Sequence, residues 1–409
     1  MVPNGWKKGS VEDIAKVTSG GTPSRKNDSY WNGHIPWVTT SEVKFGVITD
    51  TEQKITQEGL DNSSAKLFPE NTILMAMYGQ GKTRGQVAKL GIEASTNQAC
   101  AALLLHKDHD VDYYYQYLTS QYENIRELAN SGGQQNLSAG IIKDIHVPIP
   151  PLPEQRKIAK ILSTWDKAIA TTEKLIETSK QQKKALMQQL LTGKRRLVNS
   201  ETGKTFDGEW EKINFGEVIT HVGGTALEKY VKEDAAYHFI SIGNYSMDGR
   251  YVDKGQRIVL NDKTKSKLLY KDDLVMVLND KTKTGDIIGA TILIDSDDKY
   301  IYNQRSERIS VDNGINVRFF WFLLNSKYFR TEVFNRSQGG TQIYVNFGAL
   351  KSISLSLPSH QEQQKIASVL TVADSEVEVL EAKLAHFKQE KKALMQQLLT
   401  GKRRVTVDI

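Results

Sequence analysis

Lys183-Lys184-Ala185-Leu186-Met187-Gln188-Gln189-Leu190-Leu191-Thr192-Gly193-Lys194-Arg195-Arg196 recurs letter for letter from Lys391 to Arg404, an offset of 208. Fourteen consecutive identities of mixed composition exclude chance and low complexity. A repeat of this kind fixes the organisation of a chain before any local reading. The offset continues upstream. Gln155, Lys157, Ile158, Ala159, Leu162 and Asp166 match Gln363, Lys365, Ile366, Ala367, Leu370 and Asp374, and Pro150 and Glu154 match Pro358 and Glu362. A weaker echo joins the starts of the halves: Trp6 with Val17-Thr18-Ser19-Gly20-Gly21-Thr22, and Trp210 with Thr220-His221-Val222-Gly223-Gly224-Thr225. Between these ends the halves read differently, so variable region and repeated segment alternate twice.

The repeated segment predicts a long helix. A strict 4-3-4-3 spacing runs Ile158, Leu162, Trp165, Ile169, Thr172, Ile176, Ser179, Lys183, Leu186, Leu190. In the second copy it runs Ile366, Leu370, Ala373, Val377, Leu380, Leu384, Phe387, Lys391, Leu394, Leu398. Seven of ten positions are apolar in the first and nine of ten in the second, a coiled-coil seam of about five heptads. Pro153 and Gln361 are expected to precede the helices, and Gly193 and Gly401 to end them as C′ glycines. Each helix then spans about 38 residues, roughly 57 Å. Neither buries its seam alone, so the two are expected to pair. Two equivalent units suggest a pseudo-twofold axis. An axis perpendicular to the helices makes the pair antiparallel, which is slightly favoured because each globule sits just before its own helix. The fold class expected is α+β: two globular domains, residues 1–153 and 197–361, each followed by a helix segment, 154–196 and 362–409.

The 409 residues suit two or three domains at about 100–200 residues each. With 39% hydrophobic and 25% charged residues the composition is that of a soluble globular chain. Cys100 is the only cysteine, which excludes an intrachain disulfide and a four-cysteine zinc site. The start lacks the apolar region of a signal peptide and no run of 18 apolar residues occurs, so a cytoplasmic, membrane-free protein is expected. The net charge of +6 permits an acidic partner without demanding one. Its distribution is uneven: −2 over residues 1–153, +7 over 154–196, 0 over 197–361, and +2 over 362–404. Recognition of nucleic acid by the globules therefore needs local patches.

Such patches exist. Tyr78-Gly79-Gln80-Gly81-Lys82-Thr83-Arg84-Gly85 follows a strand-like run, Thr72 to Met77. Asn279-Asp280-Lys281-Thr282-Lys283-Thr284-Gly285 follows Leu274 to Leu278, with Lys82-Thr83 and Lys283-Thr284 at an offset of 201. Glycine lets backbone approach a phosphate, while Lys, Arg and Gln reach base edges. Two further polar, glycine-flanked stretches have the same character. One is Thr22, Ser24, Arg25 and Lys26 after Gly20-Gly21; the other is Gln134 and Gln135 after Gly132-Gly133, against Gln342 after Gly339-Gly340. Tyr78, Gln80, Lys82, Thr83, Arg84, Asn279, Lys281, Lys283 and Thr284 complete the candidate contacts. Solvated hairpin turns are the plain alternative for any one loop; the paired positions favour a functional one.

Catalytic patterns are missing. Gly81-Lys82-Thr83 lacks the first glycine of a phosphate-binding loop, since position 76 is Ala76. Pro150-Pro151 sits in a linker rather than in an Asn-Pro-Pro-aromatic motif. His106 and His109, beside Asp108 and Asp110, have a spacing that can bind metal, but an exposed turn is the expected reading, and Cys100 reads as a core residue.

Two unlike regions, each followed by a copy of one long helix, resemble the specificity subunit of Type I restriction–modification enzymes over essentially the whole chain. The resemblance is carried by Pro150-Pro151-Leu152-Pro153-Glu154-Gln155, by Lys157-Ile158-Ala159, by Leu186-Met187-Gln188-Gln189-Leu190-Leu191-Thr192-Gly193, and by the copies after 362. Tyr30-Trp31, Ile35-Pro36-Trp37-Val38, Phe239-Ile240-Ser241-Ile242, Asn97-Gln98 and Asn303-Gln304 are similar to family landmarks. Ser359-His360-Gln361 departs from Pro151-Leu152-Pro153 at the second entry.

The resemblance implies that each globule reads one half of a bipartite site in double-stranded DNA. It implies helices that set the spacer and dock two modification subunits, with seam residues Ile158, Leu162, Trp165, Leu186, Leu190, Ile366, Leu370, Leu394 and Leu398 holding the pair. It implies no catalysis and no cofactor in this chain. S-adenosylmethionine would belong to the modification subunits, and ATP and Mg to restriction subunits that translocate and cleave. The basic helix residues Lys157, Lys160, Lys183, Lys184, Lys194, Arg195 and Arg196 then have two readings, spacer phosphates or acidic partner surfaces. The alternatives are a specificity chain of another multisubunit DNA methyltransferase system and a coiled-coil scaffold without a DNA role.

Overall fold

A computed structural model of the chain describes residues 3–79, 82–128 and 136–407. The chain forms two compact units, one of residues 1–174 with 382–409 and one of residues 175–381. Each contains a globule and one half of each long helix.

The helices are Leu152–Leu190 and His360–Leu398, 39 residues each. They begin earlier than the sequence predicts. Pro153 and Gln361 lie inside the first turn, where a proline's missing N–H removes no helical hydrogen bond. Gly193 and Gly401 take φ of +69° and +71° just past the ends, a left-handed conformation that L side chains rarely adopt. Seam residues Ile158, Leu162, Leu190, Ile366, Leu370 and Leu398 are buried, while Trp165, Leu186 and Leu394 are half-buried. Each fully buried Leu or Ile is worth about 1.5–3 kcal/mol.

In both units the helix segments run antiparallel, held by the same contacts 208 positions apart. In the first unit Lys391 pairs with Asp166 at 2.6 Å, Lys388 with Glu173 at 2.7 Å, and Arg404 with Glu154. In the second, Lys183 pairs with Asp374, Lys180 with Glu381 at 2.6 Å, and Arg196 with Glu362 at 2.6 Å. The lysines that interrupt the apolar seam are thus its internal salt-bridge positions. The Pro-to-Gln motif at each entry is a clamp. Gln155 donates to the Pro150 carbonyl at 2.8 Å and accepts from the Asp110 N–H, while Gln363 does the same with Pro358 and Asn316.

The globules share a topology that their sequences hide. In the first, one sheet orders Ala15–Ser19, Cys100–Leu105, Ile73–Ala76, Val87–Leu90 and Val47–Ile48. In the second, Ile219–Gly223, Ser306–Val311, Leu274–Val277 and Thr291–Leu293 follow the same order. A further sheet pairs Trp31–Val38 with Ala94–Thr96 in parallel, and Tyr237–Ile240 pairs with Tyr300–Tyr302 in the same sense. The central strands Ile73–Ala76 and Leu274–Val277 are buried throughout, which is why they read as continuous apolar runs. A strand from each globule's start closes on one from its end: Lys7–Ser10 on His146–Ile149, and Glu211–Asn214 on Ser354–Leu357. Cys100 is a core residue, its thiol pushed up to about 12 by burial. No helix among the described residues is long and apolar enough to cross a membrane.

Candidate nucleic-acid interface

In the first globule one hydrogen-bonded chain joins Thr22 to the residues that flank the other two predicted segments, Met77 and Leu137. Thr22 donates its hydroxyl to the Gln98 side chain at 2.5 Å. Gln98 rides on a turn in which the Asn97 side chain accepts the Ala99 N–H at 3.1 Å. The Ala99 carbonyl accepts the Met77 N–H at 2.9 Å, and the Met77 carbonyl accepts the Leu137 N–H at 3.0 Å. Thr22, the Asn97-Gln98-Ala99 turn, Met77 and Leu137 therefore meet. Gln80, Gln134 and Gln135 lie outside the described residues.

The loop after Met77 is a hairpin closed by Ala76 N–H to Gln86 C=O and Gly85 N–H to Ala76 C=O, both 2.9 Å. Gly79 and Gly85 have φ of +140° and +83°, and a Cβ at Gly79 would lie 2.8 Å from Thr83 Cβ. Thr83 is thus packed into the turn, while Tyr78 and Lys82 are exposed. The Lys82 carbonyl accepts the Tyr122 hydroxyl, which ties Lys82 to the helix Tyr122–Leu128. Arg84 is half-buried. Of the remaining candidates, Ser24, Arg25 and Lys26 are exposed, and the Ser24 carbonyl accepts the Trp31 indole N–H at 3.1 Å.

The second globule repeats the arrangement. Leu278 N–H donates to Arg305 C=O and Val345 N–H to Leu278 C=O, both at 2.9 Å. Asn303 accepts the Arg305 N–H at 3.1 Å, so Asn303-Gln304 forms the same turn as Asn97-Gln98. Asn279–Asp280 pairs with Ile343–Tyr344, bringing Lys281, Lys283 and Gln342 to one edge, all three exposed. Asp280 is buried and accepts the N–H and hydroxyl of Thr282 and the N–H of Ile287, each at 2.8 Å. Thr284 is engaged locally, with Thr282 at 2.9 Å and Asp286 at 3.0 Å. Burial pushes the Glu228 carboxyl up, but hydrogen bonds, including those from Gln304 and Asn303, outweigh it and hold the group below its usual range.

Gln98, Gln304 and Arg305 were not among the residues predicted as contacts, yet they stand on the turn that links the loops. The signal was available: an Asn-Gln dipeptide precedes the equivalent strand in each half. Among the described residues no group of three His, Cys, Asp or Glu is placed to hold a metal ion.

The model of the type I restriction modification DNA specificity domain matches twice, over residues 3–181 and 207–389. The chain belongs to this family. The MjaVIII type I specificity subunit of Methanocaldococcus jannaschii is 28% identical over 422 residues, covering 99% of this chain and 94% of that one. The EcoR124I/EcoR124II specificity subunit of Escherichia coli is 30% identical over 172 residues, covering 39% and 42%. Among solved structures, the type I S subunit from M. genitalium aligns at TM-score 0.62 and 17% identity, covering 99% of this chain and 97% of that one. A chain from a structure of a type I R-M system in complex assembly and conformational transition aligns at TM-score 0.59 and 13% identity, covering 98% of this chain and 100% of that one. These likenesses show the fold: two α+β domains with a long helix after each.

Proposed function

We propose that the chain is the non-catalytic specificity subunit of a cytoplasmic Type I restriction–modification complex. Residues 1–153 and 197–361 each read one half of a bipartite site in double-stranded DNA, and the long helices set the spacer between the halves. The observation that carries this reading is the same loop cluster, on the same topology, in two globules of unlike sequence. An asymmetric bipartite site needs two unlike readers held alike. Exposed Lys82, Lys281 and Lys283 suit phosphates, and exposed Gln98, Gln304 and Gln342 suit base edges.

The helices dock two modification subunits, which bring S-adenosylmethionine. Restriction subunits using ATP and Mg join them. Apolar residues outside the seam support docking: Val372 and Val379, one heptad apart, are 67% and 66% exposed. The test is co-purification with a methyltransferase subunit, followed by gel shifts of the complex on random duplexes. A sequence-selective band that weakens with salt is expected; a complex bound equally to every duplex sinks the reading.

A further inference from the structure

Arg25 is an exposed cation whose guanidinium is held by neutral groups. Its guanidinium carbon lies 3.7 Å from the centroid of the Trp31 ring and 5.0 Å from that of Trp37. The two indoles meet edge to face at 5.1 Å, and the Trp37 N–H donates to the Gly21 carbonyl at 3.0 Å. Trp37 is 2% exposed, so the platform is anchored in the globule while Arg25 itself is exposed. Arg25 Nη1 donates to Gln53 Oε1 at 2.7 Å, which fixes the rotation of the fork.

All of these partners are neutral. By contrast Arg126 pairs with Glu123, Arg257 with Asp253 and Arg336 with Glu332. No carboxylate among these partners of Arg25 offsets its charge, and its Nε and Nη2 donors have no protein acceptor among the described residues. A planar guanidinium already fixed in one rotamer loses little freedom when it binds. Its paired donors match O6 and N7 of guanine in the major groove. A phosphate contact needs no such fixing and is equally well made by a flexible lysine such as the neighbouring Lys26.

Resting on the reading of residues 1–153 as a DNA reader, we propose that Arg25 reads a guanine in that reader's half-site, through the Nε–Nη2 edge that Gln53 leaves open. The half-site thus contains at least one G·C pair at an obligatory position.

The test uses the full chain in its complex with modification subunits. Methylation mapping gives the site, and binding is measured on duplexes carrying each single base-pair change. The first reader's half is the one that changes when residues 1–150 are exchanged. Arg25→Ala is expected to lose discrimination at one G·C position by about 5- to 150-fold, leaving every other position intact. Arg25→Lys keeps the charge but not the fork and is expected to do the same. A first half-site made only of A·T pairs overturns the proposal. So does uniform weakening on all sequences with a salt slope reduced by about one, the mark of a phosphate contact. Unchanged selectivity with a lowered melting temperature overturns it too, leaving Arg25 as a cover for the tryptophans. If Arg25→Ala does not fold, Arg25→Lys decides alone. A wild-type complex with no sequence selectivity refutes the reader assignment itself, a distinct result.

Discussion

Asp374 and Asp166 occupy equivalent places in the repeat but carry unequal loads. The Asp374 carboxylate is 11% exposed and holds both Lys183 and Arg250, the latter at 2.5 Å. Asp166 is 43% exposed and holds Lys391 and the Gln116 amide. Removing one partner of a buried pair leaves charge uncompensated, whereas an exposed pair is worth little. Asp374→Ala is therefore expected to cost about 3–5 kcal/mol and Asp166→Ala about 1 kcal/mol or less, measured by denaturant unfolding. Equal losses would contradict the difference in burial. At Glu154, burial raises the carboxyl pKa, but the Arg404 and Trp6 hydrogen bonds outweigh it and hold the group below its ordinary 4.5. A depressed folded value means that the stabilisation is complete above 4.5 and is lost as pH falls through the lower folded value. The melting-temperature gap between wild type and Glu154→Gln should thus shrink as pH drops from about 6 to about 3; a constant gap would remove the charge from the explanation. On the loop, Lys82→Ala should weaken DNA binding of the complex on all sequences alike and lower its salt slope by about one, and unchanged affinity excludes Lys82 from the interface.

The helices are the elements most legible in sequence, because a heptad seam is a local pattern whose period is set by the helix itself. Ends were less legible: Pro153 is expected to precede the helix but sits in its first turn, where it is tolerated. Lys183 and Lys391 interrupt the apolar seam in sequence, and only the structure supplies their partners across the helix pair, Asp374 and Asp166. Both helices run through both compact units, so the spacer can be lengthened only by changing both. A seven-residue insertion after Ala168 and after Glu376 adds about 10.5 Å, or roughly three base pairs at 3.4 Å each. Methylation mapping should show a spacer longer by that amount; an unchanged spacer argues against the helices as the ruler.

At the scale of the whole molecule the prediction is modularity. Exchanging residues 1–150 for another reader of the family should change one half-site in the methylation map and leave the other. Loss of both would contradict two independent readers.

The sequence by itself determined the repeat, the helices, their seam and the positions of the loops, since each is written in neighbouring residues or in an identity that spacing exposes. The shared topology of the globules was invisible. Their strand pairings join residues far apart, and buried positions accept any apolar side chain of suitable volume, so the two halves keep the architecture without keeping the letters. Only the tertiary structure brought Thr22, Gln98, Met77 and Leu137 onto one hydrogen-bonded line. It alone placed Arg25 on its tryptophans, because a stack between a loop and a strand depends on how the chain folds back and leaves no period in the sequence.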